Sequence, residues 1–375
     1  MEIMTRLYSI FWIIVALTLV SCDPIGKNPP EFEQKDKTVL IYMVANNNLH
    51  SSAGSNIQDM KGGYIPEDGN LVVYLHDTKN NPVLLHLNKD KEGRVVQDTA
   101  YRFPIRNSAE PETLTSVMSV TRTMFPAREY GMFLWSHGTG WLPEGYYSTK
   151  SFGSENGVEM DIKDLAKALP YKLSFIVFDA CLMGSIEVAY QLKDSVDYII
   201  SSPAEIISYG FPYGKIMEHI FQTPTDLQGV AKEFYDYYNS QSGSSRSATI
   251  SLVRTSALAE VAEAAAPIFD KYREKLSSFD QYSVQRYYRS NKKWFFDFGD
   301  LMNQLAGVEE ATPVIRALNN AVIYKAATPS FLGVQIDPEK YSGLSTYIPL
   351  APSDPELDAY YKLFQWNKDV QMLVD

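Results

Sequence analysis

The sequence predicts an α/β fold, a mostly parallel sheet covered by helices on both faces, with a helical elaboration toward the C-terminus. Residues 38–44 (TVLIYMV), 71–76 (LVVYLH), 130–135 (YGMFLW) and 173–178 (LSFIVF) are near-continuous apolar runs. That is the pattern of strands buried on both faces. Segments with helical spacing lie between several of them, as crossovers between parallel strands require. No internal repeat and no second linker divides the chain, so residues 38–375 read as one domain.

Composition narrows the class. Hydrophobic residues make up 45% and charged residues 21% of the 375 positions, which excludes wholesale disorder. A formal charge of −11, with no clustered Lys/Arg stripe, argues against a nucleic-acid partner. The acidic balance is compatible with cationic substrates.

Residues 1–22 have the form of an export signal, with Arg6 before an apolar run over 10–20 and small Ser21 after it. The run is short for a membrane span. It ends in Leu19-Val20-Ser21-Cys22, which resembles a bacterial lipobox, so Cys22 is the expected lipidation site and the protein is expected in the cell envelope, on the periplasmic face or the cell surface. Acyl chains anchor strongly, at about 0.8 kcal/mol per buried methylene. Residues 23–37, rich in proline and charge, read as a tether. The chain has two cysteines, and lipidation of Cys22 would leave Cys181 without a disulfide partner.

The elements follow in order. Residues 38–44 are the first strand, ended by a turn at Asn46, Asn47 and Asn48. Residues 71–76 form the second, and 83–87 with 94–97 an antiparallel hairpin. Leu114, Val117, Met118, Thr121 and Met124 place a helix over 113–125, stopped by Pro126. After the strand at 130–135 comes Ser136-His137-Gly138-Thr139-Gly140-Trp141, then a polar, glycine-rich loop over 142–156. A short helix over 161–169 leads to the strand at 173–178, a helix over 182–192 and a strand over 196–201. Further on, helices are expected at 227–238, 256–276, 297–305, 312–324 and 357–364, with strands at 249–253, 331–336 and 344–348.

Ligands of open α/β sheets bind at the carboxyl ends of the strands. Two consecutive parallel strands end there in reactive residues, His137 and Cys181, which lie 44 positions apart. A thiol needs an imidazole or another electropositive setting to ionise at neutral pH, and a helix beginning beside Cys181 would help through its dipole. Gly138 and Gly140 suit a loop whose backbone approaches a substrate closely. The backbone N–H groups near Gly138 and at Cys181 would suit an oxyanion hole. Each residue alone also has an ordinary reading, a small buried cysteine and a loop histidine. His50, His76 and His86 show no metal-ligand spacing, and no G-x-S-x-G elbow or phosphate loop is present. His76-Asp77 is a weak rival base, and Glu205 reads as a surface carboxylate that could instead add charge to the pocket.

The pair SHGTGW and FDACLMGSIEVAYQL resembles the clostripain family of cysteine peptidases, as do TVLIYMVANNNL at 38–49 and YSGLSTYIPL at 341–350. The resemblance spans about residues 38–350 and implies a caspase-like fold. It implies that His137 is the general acid/base and Cys181 the nucleophile. It also implies that Asp179 lines a pocket for a basic P1 side chain, a good partner for Arg or Lys. Asp179 could equally cap the next helix. Family members are often cleaved between the two catalytic residues, which makes Lys150 the candidate autocleavage site. Some relatives need calcium, for which the scattered carboxylates nominate no ligands. Asn46 departs from the family's frequent Asp in the first turn. The reading is a lipid-anchored cysteine endopeptidase that cuts proteins or peptides after Arg or Lys. The alternative is a catalytically silent surface lipoprotein that uses the same fold for binding.

Overall fold

The computed structural model describes residues 33–78, 80–146, 152–276, 278–289, 293–349 and 352–374. The chain runs β1 (Lys35–Ala45), α1 (His50–Lys61), β2 (Gly69–Asp77), β3 (Val83–Lys89), β4 (Val95–Arg102), α2 (Pro111–Met124) and β5 (Ala127–Trp135). A small hairpin, β6 (Phe152–Glu155) and β7 (Val158–Met160), precedes α3 (Ile162–Ala168), β8 (Leu173–Asp179), α4 (Ile186–Leu192) and β9 (Val196–Ser201). Next come α5 (Tyr213–Ile220), α6 (Leu227–Asn239), β10 (Thr249–Arg254), α7 (Leu258–Leu276) and β11 (Phe296–Asp297). The remainder is α8 (Phe298–Ala306), α9 (Val308–Ala321), β12 (Val322–Ala327), β13 (Ser330–Phe331), β14 (Val334–Gln335), β15 (Ser345–Thr346), α10 (Pro355–Tyr361) and α11 (Gln365–Val370).

Nine strands form one sheet in the order β12-β10-β9-β8-β5-β1-β2-β3-β4. The five central strands, β9 to β2, are parallel. Both flanks are antiparallel, through β10 and β12 on one side and β3 and β4 on the other. The expected parallel sheet is therefore the middle of a mixed one.

Side-chain alternation along each central strand feeds two cores. Leu40, Tyr42 and Val44 of β1 join Leu114, Val117 and Met118 of α2 on one face, along with Leu165 of α3 and residues of the C-terminal helices. Val39, Ile41 and Met43 join Ile57 of α1, Ile216 and Met217 of α5 and Phe234 of α6 on the other. Burial on both sides explains why these strands read as unbroken apolar runs.

Where the structure departs from the sequence expectation, the cause is tertiary. β1 begins at Lys35 and takes in the last three residues, 35–37, of the stretch read as tether. Lys37 is 3% exposed, and its ammonium donates to the carbonyls of Ile220 (2.8 Å) and Gln222 (2.6 Å). α1 (HSSAGSNIQDMK) buries only Ala53, Asn56, Ile57 and Met60, too thin a stripe to stand out in sequence. The helix expected over 312–324 ends at Ala321, because Val322–Ala327 pairs with β10 as an edge strand. The strands expected at 331–336 and 344–348 shrink to two-residue pairings, β13 with β14 and β11 with β15. The loop at 142–156 contains β6, and residues 147–151 lie outside the described residues.

Candidate active site

Parallel register brings the two reactive residues to one place. Trp135, the last residue of β5, pairs with Asp179, the last residue of β8. His137 and Cys181 each follow two positions later, on adjacent strand ends. Ser136 ties the junction together: its N–H donates to the Asp179 carbonyl at 3.3 Å and its hydroxyl to the Val44 carbonyl at 2.9 Å. Both residues line one cleft of about 410 Å³, with Asp179, Ala180, Glu205, Ile206, Gly210 and Arg289 among its walls.

The glycine loop lies against the backbone of the cysteine loop. A Cβ on Gly138 would stand 2.7 Å from the Cys181 carbonyl oxygen and 3.0 Å from the Ala180 Cβ. Gly140 has φ +64°, and a Cβ there would come within 2.5 Å of the Leu182 carbonyl. Close approach and left-handed backbone both demand glycine here. Among the described residues, the N–H groups of Gly138 and Cys181 donate to no acceptor, which leaves two donors for a ligand oxygen beside the thiol.

At rest the thiol is protonated. Its sulfur accepts from the Ile206 N–H at 3.3 Å and faces the Ile206 carbonyl at 3.6 Å. Burial, the largest cause, pushes it up to about 12, against the opposing bond from Ile206. The helix expected to begin at residue 182 does not: Leu182 has φ 63°, and α4 starts at Ile186 behind an Ser185 cap whose hydroxyl accepts from Val188 N–H at 3.2 Å. The helix dipole decays within a turn, so it does little for Cys181.

Asp179 forms the floor. It is 5% exposed, and its Oδ2 accepts from Phe211 N–H at 3.2 Å and the Tyr213 hydroxyl at 2.9 Å. Burial lifts its carboxyl to about 6, and the two bonds offset that only in part. The helix-capping alternative fails, since Ser185 caps α4. Gly210 makes room: with φ +75°, a Cβ there would sit 2.5 Å from the carboxylate.

The His137 Nε2 lies 2.7 Å from Asn48 Oδ1, a partner the sequence placed only in a turn. Glu205, read as a surface carboxylate, is a cleft residue whose side chain is 14% exposed, paired with Arg289 through Nε at 2.6 Å. Nothing in the sequence around residue 289 signalled that contact. His76 is removed from the cleft and buried, 3.0 Å from Glu155 Oε2. Asn46 binds the same carboxylate through Oε1 at 3.0 Å. His50 is exposed and His86 belongs to β3, where burial lowers it to about 4. Among the described residues no three His, Cys, Asp or Glu side chains converge as a metal site requires, so calcium finds no assembled ligand set there. Cys22 and Lys150 lie outside the described residues.

The clostripain family profile matches residues 41–373. Clostripain from Hathewaya histolytica is 28% identical over 222 residues, covering 49% of this chain and 42% of that protein, so the chain matches less than half the relative's length. Among solved structures, an inactive zymogen of a C11 protease from Parabacteroides distasonis superposes with TM-score 0.81 at 36% identity, over 90% of this chain and 99% of the other. A secreted C11 cysteine protease from Bacteroides thetaiotaomicron, in complex with an irreversible peptide inhibitor, gives 0.79 at 28% identity over the same shares.

Proposed function

The chain belongs to the clostripain family of cysteine peptidases, and we propose that it is an endopeptidase that cleaves after Arg or Lys with a Cys181/His137 dyad. The observation that carries this reading is the single cleft that holds thiol, imidazole and Asp179 together. In the proposed reaction the Cys181 proton passes to His137 and the thiolate attacks the scissile carbonyl. The Gly138 and Cys181 N–H groups receive the developing oxyanion. His137 returns its proton to the leaving amine as the C–N bond breaks, and water then hydrolyses the thioester. Asp179, ionised above its pKa of about 6, receives the guanidinium or ammonium of the residue before the cut.

By the same reading Cys22 carries the lipid, residues 23–34 span from membrane to fold, and Lys150 is the autocleavage site. A binding-only lipoprotein is the second reading, favoured by the resting thiol's high pKa. Profiling a peptide library with fluorogenic leaving groups separates the two. Turnover of Arg or Lys substrates, lost in Cys181→Ala, is expected; equal turnover in that variant would sink the dyad. Asp179→Ala that cleaves Arg substrates as well as the parent would overturn the pocket assignment. Two fragments meeting near Lys150, absent in Cys181→Ala, are expected of autoprocessing.

A further inference from the structure

We infer that Asn48 is a positioning residue for His137, fixing which imidazole nitrogen carries the proton and which way the ring faces. The inference rests on the dyad reading above and extends it to a third residue. Asn48 Oδ1 is an acceptor, so at 2.7 Å the His137 Nε2 must be the protonated nitrogen. Nδ1 is then the nitrogen with a lone pair to take the thiol proton. An imidazole is oriented by the bond that its other nitrogen makes.

A lone hydrogen bond on an exposed asparagine would be weak evidence, worth about 1 kcal/mol. Here one short strand holds the backbone of His137 and the two asparagines that precede Asn48. In β6, Gly153 N–H donates to the His137 carbonyl at 3.0 Å. The neighbouring Ser154 carbonyl accepts from Asn47 Nδ2 at 2.8 Å, and Glu155 Oε1 accepts from Asn46 Nδ2 at 3.0 Å. Asn47 is fixed again by the Val44 carbonyl (2.9 Å) and closes the turn by accepting from Leu49 N–H (2.8 Å). Glu155 is anchored in turn: its Oε2 accepts from Ser108 N–H at 2.8 Å and meets His76 Nδ1 at 3.0 Å, in a pocket where Glu155 is 2% and His76 4% exposed. Three successive asparagines thus have three tasks. Two bind β6, and the third holds the ring of the residue whose backbone carbonyl β6 also binds.

Among the described residues, the other ionisable groups that line the cleft are Asp179, Cys181, Glu205 and Arg289. Free Asp179 titrates near 6, and a bound cation favours its ionised form, so the acid limb of kcat is left to the dyad.

The test measures KM and the pH dependence of kcat on an Arg- or Lys-terminated fluorogenic peptide for the parent, Asn48→Ala, Asn48→Asp and Cys181→Ala. Asn48→Ala is expected to lose at least about tenfold in kcat with KM changed less than about threefold, and to move the acid limb of kcat down. Asn48→Asp, whose carboxylate stabilises the imidazolium, is expected to recover kcat and move the limb above the parent's. Nitrogen-15 spectra of labelled parent should show His137 protonated at Nε2, a preference Asn48→Ala loses. If both Asn48 variants keep the parent's kcat and limb while Cys181→Ala is inactive, the positioning role is refuted and the dyad stands. If Cys181→Ala turns over normally, the dyad itself is refuted.

Discussion

The Tyr213 hydroxyl donates to Asp179 Oδ2 at 2.9 Å, tying the end of a central strand to the first turn of α5. The carboxyl is 5% exposed and lines the same cleft as the thiol. Tyr213 and Phe211 N–H stabilise the ionised form, yet burial outweighs them and the carboxyl titrates near 6.

A pH prediction follows. For an acid whose folded pKa lies above its unfolded value, the folded state holds the proton more tightly. Ionising Asp179 above about pH 6 therefore costs stability, which returns as the pH falls through that value. Asp179→Asn should melt higher than the parent at about pH 8, by at most about 3 kcal/mol, and the gap should close by about pH 4. Binding moves the other way. Calorimetry should show arginine amide weakening below about pH 6 in the parent and weak at every pH in Asp179→Asn. Parent binding that is flat across this range would break the assignment of Asp179 to the cation.

Gly138→Ala should separate geometry from fold. Its new Cβ would lie 2.7 Å from the Cys181 carbonyl, so the cysteine loop must shift. Turnover should fall by at least about tenfold, while overpacking costs about 1–3 kcal/mol of stability. Steady-state kinetics with thermal melts would show both. Full activity in a folded variant would mean that the oxyanion donors lie elsewhere.

The thiol's behaviour toward electrophiles depends on what carries them. With the Cys181 thiol pushed up to about 12, iodoacetamide should label the free protein slowly near neutral pH and faster as the solution turns alkaline. A peptide electrophile with a P1 Arg or Lys should label it readily, because docking brings the reactive carbon to the sulfur beside His137. Mass spectrometry of the Cys181 peptide reads both rates. Rapid iodoacetamide labelling at neutral pH would show that the thiolate exists before substrate arrives.

Arg289 covers Glu205 at the rim of the same cleft, 45% exposed over a carboxylate that is 14% exposed. The charge presented there is the guanidinium. Arg289→Ala uncovers the carboxylate and should raise tolerance for basic residues next to P1, read from a peptide library. Its effect on melting should stay within about 1 kcal/mol, as for other partly exposed pairs. A library profile identical to the parent's would mean that substrates do not reach the pair.

Legibility in the sequence tracked how local each cause is. The central strands were readable because burial on both faces leaves an unbroken apolar run, and β8 ends at Asp179 one residue beyond the run. Helix α5 was not, since Tyr213–Ile220 is short, begins with Tyr-Gly and shows its apolar side only when packed on α1 and α6. The first half of edge strand β12 read as helix because its pairing with β10 spans about seventy residues of sequence. Glu205 looked like surface until Arg289, far along the chain, turned out to lie on it.

By itself the sequence determined the parallel centre, the placement of His137 and Cys181 at two strand ends, and the family motifs around them. Strand ends follow from apolar periodicity, and periodicity is a property of neighbours in the chain. Only the tertiary structure decided the chemical state of those residues. It set the protonated thiol against Ile206, the raised Asp179 carboxyl over Tyr213 and the His137 ring on Asn48. Desolvation and hydrogen bonding act through space, and the segments that impose them, residues 204–213 and 46–48, reach the cleft from elsewhere in the chain.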